Sequence, residues 1–164
     1  LNISLRNITV STCGLTEKIM RFADDMPQVN LAVSLHAPSD EIRLKLMPVA
    51  KSCSMSELLS VCRKYTEKTH RRITFEYALI EGVNDSMENA AQLAARLRGM
   101  LCHVNLIPLN RVSEKDFRGS ARKHAEKFAA VLSSKGIEVT VRRELGSDIS
   151  AACGQLRLTA ESEG

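Results

Sequence analysis

Short β-rich runs recur along this chain at residues 7–11, 29–35, 72–80, 102–109 and 137–142, and a segment of helical periodicity separates each from the next. That alternation narrows the possible folds more than any other feature. Strands joined through helices of ten or more residues cannot form hairpins; they pair in parallel through right-handed crossovers. Several of the runs are nearly continuous in apolar residues, as in VNLAVSL at 29–35, which suits strands of a parallel sheet. The expected class is α/β, built of consecutive βα units.

The intervening segments carry their own start and stop signals. Leu15, Ile19, Met20 and Phe22 fall at helical spacing within 15–25. Ser39 or Asp40 can cap a helix from about Glu41, after the loop 36–40. Beyond Pro48, Ser54 with Glu57 three residues on forms a capping box for a helix to about Thr69. Ser86 opens the helix 87–100, and after a polar stretch reaching Gly119, Ser120 is expected to cap a helix running to Lys135 and stopping at Gly136. Neither a linker nor a composition break divides the 164 residues, so one domain or part-domain is expected. The chain starts almost directly on a strand, which would leave an unprotected sheet edge, and it is therefore read as a fragment.

Composition bounds the function classes. With 44% hydrophobic and 26% charged residues the chain is of globular type, not a disordered or collagen-like one. It has no apolar run near the roughly 20 residues of a membrane-spanning helix, and residues 1–6 lack the layout of a signal peptide, so a cytoplasmic, non-membrane protein is expected. A net charge of +4 permits an anionic partner without requiring one. The pairs Arg71-Arg72 and Arg142-Arg143 suit phosphates or simply solvated element ends. Aromatic residues are 4% with no Trp, which leaves no visible platform for stacking single-stranded RNA. The five cysteines, Cys13, Cys53, Cys62, Cys102 and Cys153, are odd in number and widely spaced, so neither a disulfide framework nor a zinc site is indicated.

In parallel βα folds, ligands gather at the C-terminal ends of strands. Polar residues recur there: Ser11 after the first strand, Ser34 and His36 after the second, Glu76 and Asn84 on or after the third, and Asn110 after the fourth. Such residues also end strands merely because they turn well, but together they suit a small polar ligand such as a nucleoside or an amino acid. Nothing in the sequence pairs His36 with a carboxylate, so it is not read as a general base. After the last strand, Cys153 lies in the loop 146–156 (GSDISAACGQL), among small residues that leave a thiol accessible, and Arg142 or Arg143 could stabilise its thiolate.

At these residues the chain resembles the radical S-adenosylmethionine (SAM) adenosine-C2 methyltransferases of 23S ribosomal RNA and tRNA. The matching stretches are VSTCG at 10–14, VSLHAPSDEIRLKLMP at 33–48, TFEYALIEGVNDS at 74–86, VNLIPLN at 104–110 and GSDISAACGQL at 146–156. The resemblance implies that the βα units form the C-terminal part of a radical SAM partial (β/α)6, TIM-like barrel. Residues 1–164 would be one portion of that barrel domain, without the cluster-binding first strands or an N-terminal RNA-binding domain. Ser11, Ser34, Leu35, His36 and Asn110 would contact SAM. Cys153 would be the methyl carrier, an S-methylcysteine formed by displacement from one SAM. A second SAM, cleaved at a [4Fe-4S] cluster, would yield the 5'-deoxyadenosyl radical that activates the methyl for attack on adenine C2, and a second cysteine, upstream in the family, would release the product through a disulfide with the carrier.

The chain departs from that family in what it omits. It has no C-x-x-x-C-x-x-C segment for the cluster, no glycine-glutamate SAM motif and no second catalytic cysteine, and Cys13 does not match the resolving position. The expected parent is a monomeric enzyme acting on 23S rRNA and tRNA, with the cluster ligands outside this chain and the fragment inactive alone. Two alternatives remain open at this point: a C8-methylating 23S rRNA enzyme with the same carrier mechanism, and a non-catalytic nucleotide- or RNA-binding βα domain in which Cys153 is only an exposed thiol.

Overall fold

The computed structural model describes residues 4–109 and 115–142, with the backbone alone for 115–121. Asn110 and Cys153 lie outside the described residues, as does the whole loop 146–156. After a single 3-10 turn at Leu5–Asn7 the elements follow as β1 (Thr9–Thr12), α1 (Thr16–Asp25), β2 (Asn30–Ser34) and α2 (Asp40–Leu46). A second 3-10 turn, Pro48–Lys51, leads to α3 (Met55–Thr69), β3 (Ile73–Ile80), α4 (Met87–Leu97), β4 (Cys102–Leu109), α5 (Lys115–Ser134) and β5 (Glu138–Val141). The strands form one five-stranded sheet in sequential order, every pair parallel.

The helices are stacked on one face of that sheet. Leu31, Val33 and Leu35 from the second strand and its end, Ile73, Phe75, Tyr77 and Leu79 of β3, and Cys102, Val104 and Leu106 of β4 share a core with residues of α1, α3, α4 and α5. Ile19, Leu58, Leu93 and Phe128 are among the helical partners, each 2% exposed or less. Burying side chains of this size contributes about 1.5–3 kcal/mol apiece, and the alternation of strand side chains assigns the intervening residues to the opposite face. That opposite face carries Asn30, Ala32 and Ser34, then Thr74, Glu76 and Ala78, then His103 and Asn105, then Glu138 and Thr140. Parallel sheets are ordinarily covered on both faces. Helices on one face only are the arrangement of a barrel wall, with the other face turned inward.

Local signals account for most boundaries. The Ser39 hydroxyl accepts the Ile42 N–H to cap α2, while Asp40 reaches across to accept the N–H of Met55 (2.6 Å), the first residue of α3. Ser54 and Glu57 form the expected capping box, and Ser86 with Asn89 forms another at α4. Two boundaries differ from the sequence expectation. The helix expected to span 87–100 stops at Leu97, because Arg98 leaves the helical conformation at ψ 130 and Gly99 turns the chain at φ +73. The helix expected from Ser120 starts at Lys115 and passes through Gly119, since an interior glycine costs a helix only about 1 kcal/mol.

Among the described residues, Cys13, Cys53, Cys62 and Cys102 are free thiols. Burial pushes the Cys62 thiol up to about 12 and Cys102 up to about 11, which marks them as inert core groups. The Arg71-Arg72 pair is spent on structure: Arg71 donates to the Asn30 side chain, and Arg72 pairs with Glu138 on β5. No described helix is long and apolar enough to cross a membrane.

Candidate functional site

The second strand leaves the sheet early. Ser34 is aligned with Glu76, yet β3 and β4 stay paired for four more residues, to Ile80 and Leu109. The Glu76 carbonyl accepts from both the Leu35 N–H (3.0 Å) and the His36 N–H (3.3 Å), and the chain then turns away with His36 in the left-handed region at φ 55. Upper β3 thus loses its backbone neighbour on that side, and its N–H and C=O groups need other partners.

Side chains take over that role. The Ala78 N–H donates to Nδ1 of His36 (2.9 Å). The carboxamide of Asn84 accepts from the Ile80 N–H through Oδ1 and donates through Nδ2 to the carbonyls of Ala78 and His36, all at 2.7 Å. Accepting from one residue and donating to the residue two before it is the pattern that the C=O and N–H of a single residue of an adjacent parallel strand would supply. The Tyr77 hydroxyl in turn donates to the Asn84 carbonyl (2.7 Å), and the Tyr77 ring packs against Phe128 with centroids 5.4 Å apart. Asn84 is fully buried, with both amide hydrogens donated and its oxygen accepting one hydrogen bond.

His36 is 6% exposed, and burial with the nearby Arg43 charge brings its pKa down to about 4. The imidazole is therefore neutral at physiological pH. A backbone N–H can only donate, so Nδ1 must be the unprotonated nitrogen and Nε2 carries the hydrogen. Nε2 forms no hydrogen bond with another described residue.

Of the residues expected to contact a ligand, Ser11 and Ser34 lie on the same polar face of neighbouring strands. Ser11 is aligned with Ala32, two residues before Ser34. Ser11 is exposed and Ser34 half-buried. Leu35 is different: its side chain sits in the helix-side core, it is 0% exposed, and its N–H is already donated. Its part in the site is to shape the backbone between Ser34 and His36.

Glu76 and Asn105 continue the row begun by Ser34, and the Asn105 amide donates to the Glu76 carboxylate (2.9 Å). Burial raises the Glu76 carboxyl above its ordinary range, against the opposing effects of Asn105 and Arg142. A smaller apolar cluster lies at the strand ends, where Leu46, Met47 and Ile80 are buried together with Cys13, Val83 and Leu109 packed against them.

Sequence reasoning assigned no role to Arg43. It is 0% exposed and donates to the Cys13 carbonyl (2.8 Å) and the Cys53 carbonyl (3.3 Å), joining the loop after β1 to the start of α3. Gly14 lets the guanidinium in: at φ +103 a Cβ there would come within 3.1 Å of Arg43 Nη2. Its position in the 33–48 stretch, on the inward side of a short helix, was the available signal.

No family model matches the chain. Among curated proteins, the probable dual-specificity RNA methyltransferase RlmN of Clostridium perfringens (strain 13 / Type A) is 58% identical over 157 residues, 96% of this chain and 45% of that protein. Its counterpart from Caldanaerobacter subterraneus is 56% identical over 164 residues, covering all of this chain and 48% of the relative. A solved radical SAM methyltransferase from Sphaerobacter thermophilus superposes with a TM-score of 0.81 at 49% identity, over 95% of this chain and 46% of that one. Over nearly its whole length the chain is similar to one part of these RNA methyltransferases and of this radical SAM methyltransferase. It spans about half the length of the proteins it matches. A domain of pyruvate-formate lyase-activating enzyme from Bacteroides vulgatus, at 15% identity and a TM-score of 0.60, shares the fold alone.

Proposed function

We propose that this chain supplies the SAM-binding strand ends and the methyl-carrying cysteine of a radical SAM enzyme that methylates C2 of adenosine in 23S rRNA and tRNA. The observation that carries the reading is the end of β2. There a neutral, buried imidazole with a fixed Nε2 donor follows Ser34, on a polar face shared with Ser11. These groups suit the hydroxyl and nitrogen acceptors of a nucleoside, and the neighbouring apolar cluster around Met47 and Ile80 suits its uncharged surface. The names of the relatives, probable dual-specificity RNA methyltransferases, support the reaction class and RNA as substrate.

Ser11, Ser34, His36, Asn110 and the backbone at Leu35 are assigned to holding SAM. When bound, SAM supplies a methyl group on a sulfonium, and at a reduced cluster a carbon radical. Cys153 is assigned as the methyl acceptor: its thiol gives up a proton to solvent, its sulfur bonds the methyl carbon, and the bond from that carbon to the sulfonium breaks to release S-adenosylhomocysteine. The described residues include no group of three or more His, Cys, Asp or Glu placed to hold a metal ion. They do not fit a [4Fe-4S] cluster, and no step is assigned to one on these residues. We assign this chain to the C-terminal portion of the barrel domain, and the enzyme to a monomer in the cytoplasm.

The test uses the full-length protein. Cys153→Ala is expected to bind SAM with wild-type affinity and to yield no C2-methyladenosine in RNA digests. Methylation at the wild-type rate by that variant would remove the carrier assignment, and methyl found at C8 instead would remove the C2 assignment.

A further inference from the structure

We propose that Asn84 is a positioning residue that, by standing in for the departed second strand, holds the His36 imidazole as its Nε2–H tautomer with that donor directed to an acceptor atom of bound SAM. The inference deepens the SAM reading above and rests on it.

Where β2 leaves, upper β3 has three backbone groups to satisfy, and two side chains satisfy them: His36 Nδ1 takes the Ala78 N–H, and Asn84 takes the Ile80 N–H and the Ala78 carbonyl. The remaining Asn84 hydrogen goes to the carbonyl of His36 itself. One carboxamide therefore fixes both the left-handed backbone of His36 and the β3 segment that presents the Ala78 N–H to its ring. Tyr77 holds Asn84 from the other side through the Asn84 carbonyl. Nδ1 is thereby committed as an acceptor, which leaves Nε2 as the one N–H donor of the neutral imidazole. A left-handed non-glycine residue is strained unless its surroundings impose that conformation, and here the imposing group is identifiable. Asn84 touches no expected ligand atom and acts only through His36.

The experiment is long-range 1H–15N correlation of the imidazoles in full-length protein labelled at histidine, with and without SAM, alongside SAM titration calorimetry. In the wild-type protein His36 is expected as a single Nε2–H tautomer, unprotonated to about pH 5, and its Nε2 resonance is expected to move on adding SAM. Asn84→Asp keeps the acceptor for Ile80 but loses both donors. It is expected to show mixed His36 tautomers, a raised titration midpoint and a SAM Kd weakened by about tenfold, the effect of one lost hydrogen bond.

A wild-type Nδ1–H tautomer overturns the proposal without any variant, so a failure of Asn84→Asp to fold does not shelter it. Unchanged tautomer and SAM affinity in folded Asn84→Asp overturn it as well, and leave the SAM reading standing. The expected tautomer with no SAM binding to wild-type protein overturns the SAM reading, and with it the positioning role.

Discussion

The pH response of this protein begins at single side chains, and His36 is the clearest. Its pKa is about 4 when folded, against 6.5 for the free residue. Between those values the unfolded chain takes up a proton that the folded one refuses. The stability tied to the neutral imidazole is thus fully present above pH 6.5 and lost as pH falls toward 4. At about 1.36 kcal/mol per unit the whole loss amounts to about 3 kcal/mol. His36→Gln, which has no proton to gain, is expected to flatten the urea midpoint between pH 6.5 and 4 relative to wild type. Equal slopes in the two proteins would contradict the burial assigned to His36. The sequence placed Ser34 and His36 correctly at a strand end, because turn-forming polar residues after an apolar run are a local pattern. It did not reveal the tautomer or the work of Asn84, because both depend on Ala78 and Ile80, which meet His36 only after β2 and β3 pair.

Between elements, Arg43 joins what the chain separates. Its guanidinium links the loop after β1 to the start of α3 by hydrogen bonds to two carbonyls, with Gly14 leaving the room. Arg43→Met fills much of the volume, removes a buried charge and orphans the Cys13 and Cys53 carbonyls. A net loss of about 2 kcal/mol in urea unfolding is expected, because unsatisfied buried groups outweigh the relief of desolvation. No loss would mean that water or a shift of the loop satisfies both carbonyls. Strand and helix order was legible at this scale, since β3 and β4 carry long β-rich runs and Ser54 and Ser86 are strong caps. The start of α5 was not, because Gly119 reads as a stop although an interior glycine costs a helix only about 1 kcal/mol.

At the scale of the whole molecule, a parallel sheet with helices on one face and a polar row from Ser34 through Glu76 and Asn105 to Thr140 on the other is a barrel wall with its chemistry turned inward. The alternation of runs foretold the sheet; the one-sidedness of the helices follows from side-chain alternation across strands whose pairing no local window contains. The central claim joins that wall to Cys153, with SAM held at the ends of β1 and β2 and its methyl received by the thiol. The most direct measurement is mass mapping of the Cys153 peptide from the full-length protein, produced with iron and sulfide and incubated with SAM. The account expects the mass of one added methyl group on Cys153; an unmodified thiol there would contradict it.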